Sequence, residues 1–568
     1  MFFRKIHFYG VNAALIQLST AVLCLYVVVG HAGSPTLEHL YPVGAAQGET
    51  RTVQSTGKVD PWPPKVWISE SGVHFDASEK KGQWKVTVKK DAEPGPRLVR
   101  FYNGEGTSTP RYFIVSRTSD FVESEPNGRV KESNTIKSLP CLVHGKLNRR
   151  QDTDMFRVHL KQGKTFIARL DAYILGSTTD ALLRILDAQG KVLDWNHDHY
   201  YLDPCIQFKT PATGYYWVQV LGFPYPATSS EQLAGGDGYV YRLFMSNGAY
   251  IRECNVSTDD SLQLIGWNLG NVNGSRITSH TWNDSIETVT GFQKQLVRAT
   301  DINQEQEPND LLENASDLSS NRRGIIHTSE DIDWYSFEAT KDQWHQFELQ
   351  SSRLGYPTDL VLKLYDENEK EIKSDDDNAT MNDPRMDWKT PKTDKYFLKV
   401  TSLTHQGGPE QIYRLIHTIK QPDCELTVEA SEFNLTPGES VEIKIGLTRK
   451  YDHKAPLSIQ TSRLPAGISC APVMAEKEAK DIKLILHATP SALPFQGELK
   501  IFAKEIDQWN HQFEAGKQTV TTSVNNGVPA GYLDQVYRKI NRLWLTVLPR
   551  PVQETKKETE NKENQTNS

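Results

Sequence analysis

The chain has 568 residues, with 64 basic and 71 acidic side chains, a formal net charge of −7 and 10% aromatic residues. That length leaves room for about three to five domains of ordinary size. The acidic balance argues against a nucleic-acid-binding protein.

The N-terminus has the pattern of an export signal. Arg4 and Lys5 precede an apolar run that ends in Gly30-His-Ala32, so we predict a signal peptide over residues 1–32 and a secreted, periplasmic or cell-surface location. An uncleaved anchor is the alternative, because the run approaches the ~20 residues that span a bilayer. We expect no membrane span in the chain after cleavage.

One block of sequence occurs twice. Glu123-Ser-Glu-Pro-Asn127 matches Glu305-Gln-Glu-Pro-Asn309, 182 residues later, and Asp152-Thr-Asp154 matches Asp331-Ile-Asp333, 179 residues later. Further matches follow in the same order: Thr179-Asp180 with Thr358-Asp359, Lys209-Thr-Pro211 with Lys389-Thr-Pro391, and Tyr241-Arg-Leu243 with Tyr413-Arg-Leu415. This period is too long for a solenoid repeat, so each copy is predicted to be one domain.

The secondary-structure signal is almost entirely β. Apolar and polar residues alternate in short runs such as Phe156-Arg-Val-His-Leu160 and Tyr396-Phe-Leu-Lys-Val400, as in half-buried strands. Asp187-Ala-Gln-Gly190 and Asp366-Glu-Asn-Glu369 occupy the same point in each copy and have the residues of a tight hairpin turn. The predicted fold is therefore all-β, with β-sandwich domains in tandem.

Composition and the repeat set the predicted boundaries. In chain order the segments after the signal are an Ig-like β module over 33–118, a first β-sandwich over 119–247, a short β segment over 248–302, a second β-sandwich over 303–420, an Ig-like β domain over 421–550 and a disordered tail over 551–568.

Five cysteines follow the signal peptide, so at least one has no partner within the chain. Cys141 with Cys205, and Cys424 with Cys470, are the candidate pairs. The two copies share no cysteine, so no disulfide is essential to the repeated fold. The lack of any Cys-x-x-Cys pair argues against structural zinc.

The repeated motifs together resemble the bacterial pre-peptidase C-terminal domain family, which is found beside secreted peptidases and includes the collagen-binding modules of clostridial collagenases. The residues that carry the resemblance are the Glu-x-Glu-Pro-Asn start, the Asp-x-Asp before an aromatic residue, the Thr-Asp strand, an Asp-rich stretch and the closing Tyr-containing strand. The 33–118 module resembles Ig-like domains that precede such repeats in exported proteins of planctomycete-type bacteria. The resemblance implies two small jelly-roll-like sandwiches that are non-catalytic, often calcium-stabilised, binding or accessory modules.

The acidic motifs also offer the carboxylate and amide oxygens that calcium prefers. Residues i and i+2 of an extended segment face the same way, so each motif is expected to project its side chains into one pocket. The candidate calcium ligands are Glu305, Glu307, Asn309, Asp310, Asp331 and Asp333 in the second copy, and Glu123, Glu125, Asn127, Asp152 and Asp154 in the first. The second site is expected to be stronger, because Asp310 stands where the first copy has Gly128. The alternative is that these are solvated linker and turn acids.

Other candidate sites are weaker. His197 and His199 suggest a transition-metal site, but no third ligand lies at a defined spacing, which favours a solvated loop. The aromatic residues that could stack on a saccharide or peptide are Trp62, Trp195, Tyr200 and Tyr201. The alternative is that they cover hairpins, which is the commoner role of such residues.

The sequence contains no complete catalytic motif. It has no His-Glu-x-x-His, no Gly-x-Ser-x-Gly and no phosphate-binding loop, and Gly106-Thr-Ser-Thr-Pro110 lacks the segments that would complete a triad. We therefore expect an exported, non-catalytic protein that binds an extracellular protein or polysaccharide partner. The alternatives are an accessory polypeptide of a secreted peptidase or other hydrolase, and a hydrolase whose site lies within 33–118 or 421–550. The sequence leaves the oligomeric state open.

Overall fold

The computed structural model describes residues 33–199, 202–224, 232–256, 262–269, 302–377, 383–506, 512–517 and 542–550. This part of the chain contains strands and three short 3-10 turns but no α-helix, so the all-β prediction is confirmed. The residues just named also include no helix with the length and apolar character of a membrane span. The predicted signal peptide (1–32) and tail (551–568) lie outside them.

The segment from 33 to 118 is a sandwich of two sheets, with strand orders β1-β3-β6-β5 and β2-β9-β7-β4. Its strands are β1 His39–Tyr41, β2 Gly44–Ala46, β3 Thr50–Thr56, β4 Lys65–Ile68, β5 Val73–Ala77, β6 Gln83–Val88, β7 Gly95–Asn103, β8 Gly106–Thr107 and β9 Arg111–Ser116. Trp84, Val86, Phe101 and Phe113 belong to the single core between the sheets.

The first repeat is a sandwich of two five-stranded sheets, with orders β10-β12-β19-β14-β17 and β11-β13-β18-β15-β16. Its elements are β10 Asp120–Val122, β11 Asn134–Thr135, β12 Cys141–Lys146, β13 Asp154–Leu160, β14 Thr165–Asp171, η1 Tyr173–Leu175, β15 Thr179–Leu186, β16 Val192–Asn196, β17 Cys205–Lys209, β18 Gly214–Pro224 and β19 Val240–Ser246. A two-stranded hairpin, β20 Tyr250–Val256 and β21 Leu262–Trp267, follows it.

The second repeat has the same two sheets in the same strand order, β22-β24-β31-β26-β29 and β23-β25-β30-β27-β28. Its elements are β22 Ile302–Gln304, η2 Leu312–Asn314, β23 Ser316–Asp317, β24 Asn321–Ile325, β25 Asp333–Ala339, β26 Trp344–Gln350, η3 Ser352–Leu354, β27 Leu360–Tyr365, β28 Glu371–Asp375, β29 Arg385–Lys389, β30 Asp394–Ser402 and β31 Ile412–Lys420.

Register matches as well as order. Asp154 pairs with Val220 in the first repeat, and Asp333 pairs with Val400 in the second. The hairpin turns also match, because Gly190 and Glu369 both have a left-handed φ, 81° and 58°. The duplicated sequence is thus a duplicated fold, and equivalent residues occupy equivalent places.

The C-terminal segment packs an eight-stranded sheet, β36-β38-β34-β32-β41-β40-β35-β37, on a three-stranded sheet, β33-β42-β39. Its strands are β32 Asp423–Val428, β33 Glu432–Leu435, β34 Ser440–Lys450, β35 Leu457–Thr461, β36 Ile468–Ser469, β37 Val473–Ala475, β38 Asp481–Ala488, β39 Phe495–Leu499, β40 Ile501–Glu505, β41 Gln512–Lys517 and β42 Leu543–Val547.

The candidate disulfides are wrong, because no disulfide joins Cys141 to Cys205 or Cys424 to Cys470 in the structure. Cys141 lies on β12 and Cys205 on β17, with β19 and β14 between them in the same sheet. At about 4.8 Å per strand, that separation is far beyond the reach of a disulfide. Cys254 lies in a stretch whose side chains are not described.

Candidate metal centres

Each candidate centre lies where a linker strand folds back on its sandwich. β10 pairs in parallel with β12 in the first repeat, and β22 pairs in parallel with β24 in the second. Beyond these strands the linker is held at matching places, because the Met155 amide donates to Asn127 O (3.1 Å) and the Trp334 amide donates to Asn309 O (3.0 Å). The structure therefore brings the Glu-x-Glu-Pro-Asn and Asp-x-Asp motifs together in both copies.

The inner part of the first centre is buried and only partly hydrogen-bonded. Tyr241 donates its hydroxyl to Asp154 Oδ2 (2.6 Å) and Glu123 Oε2 (3.0 Å), and Asn127 Nδ2 donates to Glu123 Oε2 (3.2 Å). Asn127 and Asp154 have no exposed surface, yet the Oδ1 atom of each has no hydrogen-bond partner. Buried oxygens without a partner are costly, and a bound cation would satisfy both.

The outer part of the first centre is exposed. Glu125 accepts bonds from the Asn127 amide (2.9 Å) and from Asn148 Nδ2 (2.8 Å). Asp152 accepts a bond from the Asn148 amide (2.7 Å), so it closes a turn. The acids whose ligand atoms lie within 4.8 Å of one another are Glu123, Glu125 and Asp154.

The inner part of the second centre repeats this arrangement with one more tyrosine. Tyr413 donates its hydroxyl to Asp333 and lies 2.7 Å from the hydroxyl of Tyr335. Tyr335 donates to Glu305 Oε2 (3.1 Å), and the Ile325 amide donates to Glu305 Oε1 (2.6 Å).

Asn309, which is completely buried, occupies the place of Asn127. In the orientation that satisfies both of its polar groups, its side-chain amide donates to Glu307 Oε2 at 2.7 Å and to Asp333 Oδ1 at 3.2 Å. The amide of Asn309 therefore links the two acids.

The outer part of the second centre contains a histidine. His327 Nδ1 lies 3.1 Å from Glu307 Oε1 and 3.4 Å from Asp331 Oδ2. Asp310 is exposed and reaches only the Ile332 amide, at 3.4 Å, so the structure places it at the edge of the centre. Two overlapping sets of ligand atoms lie within 4.8 Å of one another, Glu305 with Glu307 and His327, and Glu307 with Asp331 and Asp333.

Burial raises the pKa of the inner acids. It raises the pKa of Glu123 and Glu305, and it raises the pKa of Asp154 and Asp333 further, because the nearby charge of Glu123 or Glu305 adds to the effect. An acid with a raised pKa holds a proton unless another positive charge replaces it. A cation that binds here must therefore displace protons.

Several residues of the centres were not predicted. Tyr241 and Tyr413 occupy matching positions of the repeated sequence. The residues next to them in the sequence do not indicate that their hydroxyls reach the acids. Tyr335 and His327 lie close to predicted ligands in the sequence. The strand pattern is equally compatible with a core position for Tyr335 and a turn position for His327, so it did not assign them to the centre. Tyr41 comes from another domain and donates to Glu123 Oε1 at 3.3 Å.

A matched glycine lets each tyrosine cross the centre. A Cβ on Gly145 would lie 2.2 Å from the Tyr241 hydroxyl oxygen, and one on Gly324 would lie 2.4 Å from that of Tyr413. Any larger residue at these positions would displace the tyrosine ring. The matched glycines are therefore the feature of the sequence that could have indicated that each tyrosine hydroxyl reaches the acids.

His197 and His199, for which the sequence favours a solvated loop, do not converge on one site. His197 instead belongs to a set with Asp180 and Asp198 whose ligand atoms lie within 4.8 Å of one another. His197 Nε2 lies 3.1 Å from Asp180 Oδ1, and its Nδ1 lies 3.8 Å from Asp198 Oδ2. His199 packs elsewhere, because a Cβ on Gly355 of the second repeat would lie 2.4 Å from its Nε2.

The aromatic residues that could stack on a ligand also lie in different environments. Trp62 packs edge-on against Trp84 at 4.7 Å and donates to Ser78 O at 3.0 Å, so it is part of a domain core. Trp195 is 61% exposed on β16. Tyr200 and Tyr201 lie outside the described residues.

No family profile and no curated protein matches the chain. Among solved structures, it is similar to the pre-peptidase C-terminal domain of a collagenase from Bacillus anthracis, with 16% identity, over 20% of this chain and 100% of that one, at a TM-score of 0.16. It is also similar to PliG of Aeromonas hydrophila, a periplasmic inhibitor of g-type lysozyme, with 17% identity, over 22% of this chain and 98% of that one, at a TM-score of 0.16. Tripeptidyl peptidase 2 matches with 10% identity over 86% of this chain and 40% of its own, at a TM-score of 0.15.

Proposed function

We propose that this chain is an exported, non-enzymatic, multi-domain β protein whose two repeats each bind a divalent cation. Calcium is the cation that the oxygen-rich donor sets favour. The observation that supports this most directly is the duplication of the centre: in both copies a buried Glu, Asn and Asp meet a tyrosine hydroxyl at equivalent places. Burying several acids together is costly, so the occurrence of the same buried cluster in both copies favours a shared role such as cation binding.

The cation would add a further link between two elements that backbone hydrogen bonds already hold together. Glu123 and Asn127 lie on the linker, whereas Asp154 opens a central strand of the sandwich. An ion shared between them adds to stability with the logarithm of its free concentration, about 2.7 kcal/mol at a free concentration 100 times the dissociation constant. Calcium would therefore stiffen the joint between each sandwich and the segment before it.

We further propose that the first repeat carries a surface for an extracellular protein or polysaccharide. The strand β16 ends its sheet and exposes Val192, Leu193 and Trp195. In the matching strand β28, Glu371, Ile372 and Ser374 stand where β16 has Val192, Leu193 and Trp195. The exposed indole therefore occurs at this edge of the first repeat and not at that of the second, and an exposed indole suits stacking on a sugar ring or an aromatic side chain.

Hydrogen exchange of the full chain, measured by mass spectrometry, tests the cation proposal. In millimolar calcium, amides of 123–127 and 305–310 should exchange more slowly than in EGTA. Asp154→Asn should remove the calcium effect in the first linker only, and Asp333→Asn in the second only. Equal exchange with and without calcium in the unaltered chain would overturn the proposal.

Binding of the full chain to gelatin and to peptidoglycan tests the surface proposal. Trp195→Ala should reduce binding to one of these polymers at least about tenfold, as expected for a central aromatic contact. Ile485→Ala is the control, because Ile485 is similarly exposed, at 52%, in the C-terminal domain. Unchanged binding by Trp195→Ala, or an equal loss in both variants, would contradict a role for β16.

A further inference from the structure

The two centres differ at one matched position, which holds Asn148 in the first and His327 in the second. Both residues occupy the same turn, because each donates its backbone amide to the aspartate four residues later, Asp152 or Asp331. Each also directs its side chain at the second glutamate of its motif. The distance from Asn148 Nδ2 to Glu125 Oε1 is 2.8 Å, and from His327 Nδ1 to Glu307 Oε1 it is 3.1 Å.

The exchange of Asn for His changes the chemical class of the donor set. The first centre offers only carboxylate and amide donors, and its amide can present an oxygen. The second adds an imidazole nitrogen, which is a preferred ligand of Zn²⁺ and other transition-metal ions but not of Ca²⁺. His327 is therefore the residue at which the two copies should differ in the ion that they prefer.

The geometry at His327 fits a shared ion. Two ligands about 2.0 Å from one tetrahedral ion lie about 3.3 Å apart. His327 Nδ1 lies 3.1 Å from Glu307 Oε1, and one ligand atom of each of Glu305, Glu307 and His327 lies within 4.8 Å of the others. The imidazole is 51% exposed, so an ion can reach it from solvent.

Buried oxygens at the inner side support a ligand independently of the histidine. In the first copy, Asn127 and Asp154 are completely buried, and the Oδ1 atom of each has no hydrogen-bond partner. Asn309 and Asp333, at the matching positions of the second copy, are equally buried. This duplicated interior separates the centres from an ordinary cluster of surface acids.

We propose that the second centre binds a transition-metal dication such as Zn²⁺ in preference to Ca²⁺, with His327 Nδ1 as its nitrogen ligand, whereas the first centre prefers Ca²⁺. This inference rests on the proposed function, because it assigns selectivity to centres whose occupation is itself proposed. When no transition metal is present, the second centre still takes calcium through its carboxylates.

The test is displacement of calcium by zinc from the full chain, measured by equilibrium dialysis with radioactive calcium. In millimolar calcium alone, we expect two ions per chain. Adding micromolar zinc should reduce this to one. Zinc bound at other histidines leaves the measurement unaffected, because only bound calcium is counted.

The two copies supply the matched variants. His327→Asn gives the second centre the residue that the first already accommodates, so it should fold, and zinc should no longer displace its calcium; its zinc affinity should fall at least about tenfold. Asn148→His should make the first centre lose calcium to zinc as well. Together the two substitutions should exchange the preferences of the copies.

The outcomes separate the two proposals. If no calcium binds before zinc is added, the proposed function fails. If two calcium ions bind but zinc displaces neither, or displaces them equally from the unaltered chain and from His327→Asn, the proposed function stands and the selectivity of His327 is refuted. A rise in calcium affinity in His327→Asn without any change in displacement by zinc would also refute it, because His327 would then compete with the cation for Glu307 and Asp331 and would not bind it.

Discussion

At the residue scale, each centre is built around an aspartate with no exposed surface that faces a tyrosine hydroxyl, Asp154 with Tyr241 and Asp333 with Tyr413. An ionised carboxylate in such a place is costly unless a positive charge accompanies it. A proton and a metal ion are the two positive charges that fit between the paired acids. The buried aspartate therefore destabilises the cation-free protein and provides a ligand in the cation-bound protein.

This cost leads to a prediction for Asp333→Asn, which keeps the acceptor for Tyr413 but removes the charge. Because burial and Glu305 raise the pKa of Asp333, the variant should melt in EGTA at or above the temperature of the unaltered chain. It should lose the rise in melting temperature that calcium produces. Differential scanning fluorimetry of the full chain measures both.

Glu338→Gln is the control for that experiment, because Glu338 lies exposed on the same strand, β25. It should retain the full calcium response. A purely structural role for Asp333 would instead appear as a lower melting temperature in EGTA.

At the element scale, the two repeats share their strands but not every core residue. His345 and His417 face each other in the second core, with Nδ1 and Nε2 2.9 Å apart, where the matching positions of the first hold Phe166 and Met245. One hydrogen bond between two imidazoles needs one donor and one acceptor, which two neutral imidazoles supply, and burial lowers the pKa of both. The second core therefore contains a group that acid can charge.

We expect the second sandwich to lose stability in acid for this reason. Burial, aided by His345, lowers the pKa of His417 from 6.5 to about 4. Because the folded pKa is lowered, the contribution of the pair is present above pH 6.5 and is lost as the pH falls towards 4, by on the order of 3 kcal/mol. Protection of β31 amides against hydrogen exchange, corrected for intrinsic rates, should fall over that range.

The first repeat provides the control for the pH experiment. Substituting His345→Phe and His417→Met together copies the core of the first repeat and should remove most of the acid-induced loss of protection in β31. If the double variant loses protection as steeply as the unaltered chain, other groups cause the acid sensitivity.

At the scale of the whole molecule, the first and last β domains contact each other. Arg100 is buried and lies 2.9 Å from Glu432 Oε1, and its other terminal nitrogen donates to Arg542 O at 3.1 Å. The rings of Trp67 and Tyr102 pack on Trp544, at 5.8 and 5.2 Å. The chain thus returns to its starting domain after passing through both repeats.

Glu432→Lys should open this contact, because it places a second positive charge beside buried Arg100. Breaking a fully buried pair costs about 3–5 kcal/mol, and about a quarter of the Glu432 side chain is exposed, so we expect less than that. Small-angle X-ray scattering should show a larger radius of gyration. Glu442→Lys, at an exposed position of the same domain, should leave the radius unchanged, and equal radii for all three proteins would contradict the role of the pair.

Much of this arrangement was predictable from the sequence, because a duplicated motif places equivalent residues without knowledge of the fold. The repeat predicted the acids and amides of both centres, and periodicity predicted the all-β class. The contribution of Tyr41 was not predictable, since it depends on how a separate domain packs against Glu123. The position of His327 was also missed, because a turn brings it to Asp331 four residues later, whereas the prediction considered only the two-residue period of strands.

The most direct test of the central claim is the number of calcium ions that the full chain binds, measured by equilibrium dialysis in the absence of transition metals. Two duplicated centres predict two ions per chain, one in either Asp154→Asn or Asp333→Asn, and none when both substitutions are combined. Binding that does not saturate, or two ions retained in the double variant, would show that the duplicated acids do not form cation sites.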